Sequence, residues 1–238
     1  MMPQTLRPLI AANWKMHGGL SWTSKPSDFE AIYPSSERRH LDVLICPPAT
    51  LLASMNDGVF LGGQDCHAAV SGAHTGDVSA EMLKDAGATY VIVGHSERRA
   101  GGDTDEDVHA KAEAAKRAGL IPIICVGETE SQRDAGQAEH VVSEQIKASV
   151  PDIANYVIAY EPVWAIGTGK TATPDDVDEM HNAIRAQVGP DVQLLYGGSV
   201  KPANAESLLA LKNVNGALIG GAGLEMESLA AIARAAPK

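Results

Sequence analysis

Glu161 ends the apolar run Tyr156-Val157-Ile158-Ala159-Tyr160 and is followed directly by Pro162. Such a run reads as a strand, so it delivers one carboxylate at its C-terminal end, and the proline fixes the direction of exit. A short apolar arm follows, then Gly167-Thr168-Gly169-Lys170-Thr171-Ala172. Two glycines that tolerate positive φ make a segment able to fold over that carboxylate, as a lid would over a general base. Other chemistry-bearing residues end other apolar runs. Asn13 and Lys15 follow the first; His95, Ser96 and Glu97 follow the fourth. Gly197-Gly198-Ser199 ends the seventh and Gly220-Gly221-Ala222-Gly223 the eighth. Glycine turns that lead into helices expose outward-pointing amides and favour phosphate. One base, one imidazole, one ammonium and several glycine turns predict proton transfer on a small phosphorylated substrate, with no metal and no cofactor.

These residues can act together only if the runs are parallel strands ending on one face. The runs are Pro8–Lys15, Leu41–Cys46, Phe60–Asp65, Tyr90–Gly94, Ile121–Gly127, Tyr156–Tyr160, Val192–Tyr196 and Ala217–Gly220. Several are apolar at nearly every position, as in strands covered on both faces. Helical signals alternate with them. Thr173-Pro174-Asp175-Asp176 offers a cap residue, a proline for the first turn and carboxylates favoured by the dipole, with Gly189 as the stop. Ser79–Ala86 and Thr104–Ala118 run into Gly87 and Gly119, which suit left-handed caps. Asn204–Leu211 and Leu224–Ala236 carry apolar residues at helical spacing. The first connection, Gly18–Ser36, holds Pro26 and Pro34 and leaves room for a short helix only. Ala49–Val59 allows about two turns. Strand then helix, eight times in 238 residues, predicts one domain over residues 1–238, a (β/α)8 barrel with its chemistry where the strands end. An open doubly wound sheet is disfavoured because no Gly-x-Gly-x-x-Gly turn follows the first strand.

A net charge of −11 without any basic tract argues against nucleic acid as a partner. An anionic substrate must then be held by local dipoles or one placed cation. The three cysteines, Cys46, Cys66 and Cys125, are widely spaced beside apolar runs, which gives no disulfide framework and points to a reducing compartment. Nothing resembles a signal peptide, and no stretch approaches the ~20 apolar residues of a membrane helix. A cytoplasmic protein without a membrane partner is expected. Gly167-Thr168-Gly169-Lys170-Thr171 mimics the end of a nucleotide P-loop, but Trp164 stands where that motif needs glycine. Cys66-His67 lacks a second pair at ligand spacing, so Cys66 reads as core rather than as a metal ligand.

Taken together, Asn13-Trp14-Lys15-Met16, Val93-Gly94-His95-Ser96-Glu97-Arg98-Arg99, Glu161–Ala172, Tyr196-Gly197-Gly198-Ser199-Val200 and Gly220-Gly221-Ala222 closely resemble the triosephosphate isomerase family. The resemblance runs from Pro8 to the last helix. That family is itself the type case for this barrel, its acid–base pairing and its lid. It implies that Glu161 removes a carbon-bound proton, that His95 acts as a neutral electrophile, and that Lys15 stabilises charge. It also implies that Asn13 orients the substrate, that Ser96 and Glu97 support, and that amides of Gly167, Ser199, Gly220 and Gly221 hold the phosphate. The hinges would be Pro162–Trp164 and Lys170–Ala172, with 165–169 as the moving tip. A homodimer follows too, built on the loop His67–Ser79, with Thr75 nearest the neighbour's site. Isomerisation of a four-carbon ketose phosphate, and a barrel without catalysis, are the alternatives. Asp65, Asp103 and Gly223 depart from the asparagine, glutamate and serine usual in the family.

Overall fold

The computed structural model describes residues 6–55, 58–166 and 170–238. Eight strands form a closed barrel in chain order, every neighbouring pair parallel. They are β1 (Leu9–Asn13), β2 (Asp42–Cys46), β3 (Phe60–Gly63), β4 (Tyr90–Val93), β5 (Ile121–Val126), β6 (Val157–Tyr160), β7 (Gln193–Tyr196) and β8 (Gly216–Ile219). All eight expected runs are strands; β1, β3, β4, β5 and β8 end a residue or two early where the chain turns onto the rim, whereas β2, β6 and β7 start one residue late.

Strand parity explains both the core and the site. Successive side chains point to opposite faces. Leu9, Ala11, Leu44, Ile92, Ile123, Cys125, Val157, Ala159, Leu195 and Leu218 fill the barrel interior as one buried cluster. Their neighbours Ile10, Ala12, Val43, Ile45, Val91, Val93, Ile124 and Ile158 pack outward under the helices. Continuing the inward set by two residues puts Asn13, Glu161 and Gly220 at the interior mouth.

The helices are α1 (Lys25–Ile32), α2 (Ala49–Leu52), α3 (Ala80–Asp85), α4 (Ser96–Ala100), α5 (Asp105–Arg117), α6 (Glu130–Asp134), α7 (Ala138–Ser149), α8 (Pro174–Val188), α9 (Pro202–Leu209) and α10 (Met226–Arg234). Thr173 and Asp176 form a reciprocal capping box at the start of α8, and Thr104 and Asp107 do so for α5. Each such cap satisfies amides the helix itself cannot, typically worth about 1 kcal/mol. Gly87 and Gly119 take φ of 99° and 73°, as their cap positions require. The first connection does hold only a short helix, with Pro26 in its first turn. After β2 the helix is a single turn, shorter than the two turns the sequence allows. Helices α4, α6 and α7 are not among the expected elements, although Thr129 and Gln132 form a capping box at the start of α6. Cys46, Cys66 and Cys125 are all buried and unbridged.

Candidate active site

Asn13 and Lys15 lie at the end of β1, where the chain makes an unusual turn. Lys15 has φ of 52°, the left-handed region, and is the one described residue other than glycine with positive φ. Such strain persists only where surroundings over-determine it. Here the Asn13 side chain accepts the Lys15 amide at 2.9 Å. From the other side, the Gln64 amide donates to the Lys15 carbonyl at 2.8 Å and to the Cys46 carbonyl at 2.9 Å. The lysine's ammonium then meets Oε1 of Glu97 at 2.7 Å. Burial disfavours the ionised Glu97 carboxylate, but the hydrogen bond and charge of Lys15 outweigh it and hold the group below its ordinary value. A Cβ built on Gly220 would sit 4.0 Å from Lys15 Nζ, so the cation overhangs the glycine turn after β8.

His95 caps α4. Its Nδ1 accepts the Glu97 backbone N–H at 3.1 Å. That bond uses the Nδ1 lone pair, which places the ring proton of the neutral imidazole on Nε2. Nε2 lies 3.0 Å from Oε1 of Glu161. The other carboxylate oxygen of Glu161 accepts the Ser96 amide at 2.9 Å. Glu161 is only 2% exposed and His95 5%. The backbone of Glu161 is pressed against β5, and a Cβ on Gly127 would fall 1.8 Å from the Glu161 carbonyl. Only glycine fits there. Beneath the carboxylate, burial and then the nearby Glu161 charge push the Cys125 thiol far up, which leaves it an inert packing group.

A cavity of about 520 Å³ joins these groups. Asn13, Lys15, His95, Ser96, Glu97, Glu161, Ser199, Gly220 and Gly221 all line it. Gly167 lies outside the described residues, as does most of the lid tip. Thr75 does not line the cavity; it is exposed on the loop after β3. Asp65 and Asp103 share the Lys111 ammonium at 2.9 and 2.6 Å, and Arg98 reaches Asp65 at 2.9 Å. Two of the three departures from the family pattern thus form one charged cluster. Gly223 is not an idle loss of a side chain either: a Cβ there would approach that of Ala12 to 2.8 Å.

Two residues at this rim were missed by sequence reasoning. One is Gln64, the clamp on Lys15. The other is Glu128, fully buried, whose Oε1 accepts the Trp164 indole N–H at 2.8 Å and the Tyr160 hydroxyl at 3.1 Å. It ties the first hinge of the lid to the end of β5. Gln64 lies within the expected run Phe60–Asp65, just past the observed end of β3, and Glu128 directly follows the run Ile121–Gly127, so their places on the rim, though not their partners, could be read from the sequence.

A family model described as triosephosphate isomerase matches residues 8–236. A triosephosphate isomerase from Afipia carboxidovorans is 56% identical over 99% of this chain and 100% of its own length. One from Xanthobacter autotrophicus is 53% identical over 99% of both chains. The crystal structure of a triosephosphate isomerase from Bartonella henselae superposes with a TM-score of 0.87 at 44% identity, covering 96% of this chain and 98% of that one. On this similarity over nearly its whole length, the chain belongs to the triosephosphate isomerase family.

Proposed function

We propose that Glu161, His95 and Lys15 are the catalytic residues of this chain. As a member of its family the chain is an isomerase of triose phosphates, which gives it a place in glycolysis. Glu161 takes a proton from the carbon beside the carbonyl of dihydroxyacetone phosphate, leaving an enediolate. His95 donates through Nε2 to the carbonyl oxygen and recovers a proton from the neighbouring hydroxyl. Glu161 then returns its proton to the other carbon, giving D-glyceraldehyde 3-phosphate with every proton accounted for. Lys15 stabilises the developing negative charge, which is worth most where water is excluded. Asn13 orients the substrate, with Ser96 and Glu97 in support. Backbone amides at Ser199, Gly220 and Gly221, and at Gly167 in the lid, hold the phosphate. No cofactor enters this scheme. The observation that carries it is the 3.0 Å approach of His95 Nε2 to Glu161 Oε1 inside a cavity that Lys15 and the β8 glycine turn also line.

The same reading includes a homodimer formed through the loop His67–Ser79, with Thr75 reaching the neighbour's site. The exposure of Thr75 and of the large apolar side chains Met16 and Met82 supports it. Among the described residues no helix is long and apolar enough to cross a membrane. The glycolytic reaction supports a cytoplasmic protein, and the net charge of −11 without a basic tract supports one that does not bind nucleic acid. The relatives' names give no support to a four-carbon substrate or to a barrel without catalysis. A coupled assay with three-carbon and four-carbon ketose phosphates tests the function. Turnover of the triose phosphate is expected, and turnover of the four-carbon substrate alone would overturn it.

A further inference from the structure

We propose that Lys201 is a further substrate-binding cation, which draws the dianionic phosphate of a triose phosphate into the cavity. The inference rests on the isomerase reading above and adds a residue to it. Lys201 lines the cavity together with Ser199, Gly220 and Gly221.

Charge balance singles it out. Among the described residues, Lys15, Glu97, Glu161 and Lys201 are the lining side chains with a formal charge, His95 being neutral. The Lys15 ammonium is offset by Glu97 at 2.7 Å. Glu161 then adds a negative charge, so the cavity without Lys201 would repel an anion. The chain as a whole carries −11, which repels one at longer range too. A phosphate monoester is largely dianionic at neutral pH. Lys201 is exposed and, among the described residues, meets no carboxylate at ion-pair distance. It is the cation of the cavity left over for the substrate.

The backbone fixes where that side chain starts. Lys201 is the residue before α9, in extended conformation. Its amide donates to Oδ1 of Asn204 at 2.8 Å, and the Asn204 amide donates to the Ser199 carbonyl at 3.0 Å. One side chain thus braces both ends of the turn. Val200, between them, is buried in the core. The turn that offers the Ser199 amide therefore also presents Lys201. A lysine suits the task, because its compact charge sits on a flexible stem that can follow an incoming phosphate.

An ammonium about 8 Å from a dianion in water gives an attraction worth roughly fivefold in binding. Screening leaves most of it at about 0.01 M salt, where the Debye length is about 30 Å, and little at about 1 M, where it is about 3 Å. Bound substrate and transition state feel the same attraction, so it appears in KM rather than in kcat.

Steady-state kinetics with D-glyceraldehyde 3-phosphate, at about 0.01 M and about 1 M potassium chloride, tests the proposal. Lys201→Met, which keeps the stem and removes the charge, should lower kcat/KM by about fivefold at low salt, mostly through KM, and by less than about twofold at high salt. Lys201→Arg should restore the wild-type value, and Lys201→Glu should lose more than Lys201→Met. Circular dichroism checks that each variant is folded. A Lys201→Met chain with wild-type kcat/KM at low salt, or a loss that salt does not shrink or Lys201→Arg does not restore, would overturn the proposal. A wild-type chain that turns over no triose phosphate would instead sink the isomerase reading, and this inference with it.

Discussion

Nε2 of His95 and Oε1 of Glu161 stand 3.0 Å apart, so the proposed acid and base meet inside the cavity, while the Ser96 amide holds the other carboxylate oxygen at 2.9 Å. A carbonyl arriving at His95 would then lie beside the carboxylate that must deprotonate the neighbouring carbon. Substituting His95→Gln keeps a donor but removes the proton shuttle. It is expected to lower kcat by about 10²-fold or more while KM moves little, because the phosphate amides are untouched. Steady-state kinetics separates the two; a change confined to KM would contradict the assignment.

Lys15 is held in its left-handed turn by Asn13 on one side and Gln64 on the other. Gln64→Ala leaves two carbonyls without that donor and frees the strained turn. A loss of about 1–3 kcal/mol of stability is expected, together with a lower kcat/KM as the ammonium drifts from the glycine turn. Thermal unfolding and kinetics on one preparation check both. Gln64→Glu, which cannot donate when ionised, should resemble Gln64→Ala rather than the wild type.

Much of this architecture was legible in the residues. Eight apolar runs gave the strands, and parity along β6 carries Glu161 inward, because Val157 and Ala159 already face the barrel interior. What stayed hidden has physical reasons. Gln64 acts through its side-chain amide on a backbone carbonyl 49 positions away, and no local pattern encodes that pairing. Glu128 reads as an ordinary polar residue after a strand until Trp164 and Tyr160 are seen to converge on it. The helix after β2 is one turn because the chain leaves it at Ala53, whereas the sequence there forbids nothing earlier than Gly58.

His181 is fully buried on α8, packed edge-on against Tyr160, and its Nδ1 bonds the Asn213 carbonyl at 2.9 Å. Burial drops its pKa from 6.5 to about 4. Between those values the unfolded chain binds a proton that the folded chain refuses. Stability therefore falls as pH drops from 6.5 toward 4, by about 3 kcal/mol from this residue. Urea unfolding of the wild type and of His181→Gln at several pH values should show a flatter acid limb in the variant. Parallel limbs would refute it.

Thr75 sits exposed on the loop after β3, away from its own chain's cavity. If the neighbour's loop completes each site, Thr75→Arg should lower activity in step with dissociation of the dimer. Sedimentation and activity measured across a dilution series would reveal this. A fully active monomer would defeat the dimer reading while leaving the fold untouched.

The central claim is that the Glu161 carboxylate takes a carbon-bound proton from a triose phosphate. Proton NMR of dihydroxyacetone phosphate in deuterium oxide reads that step directly. The wild-type chain should place deuterium on the carbon beside the carbonyl as glyceraldehyde 3-phosphate forms, and Glu161→Gln should slow that exchange by about 10²–10⁴-fold. A folded Glu161→Gln chain that exchanges at the wild-type rate would contradict the account.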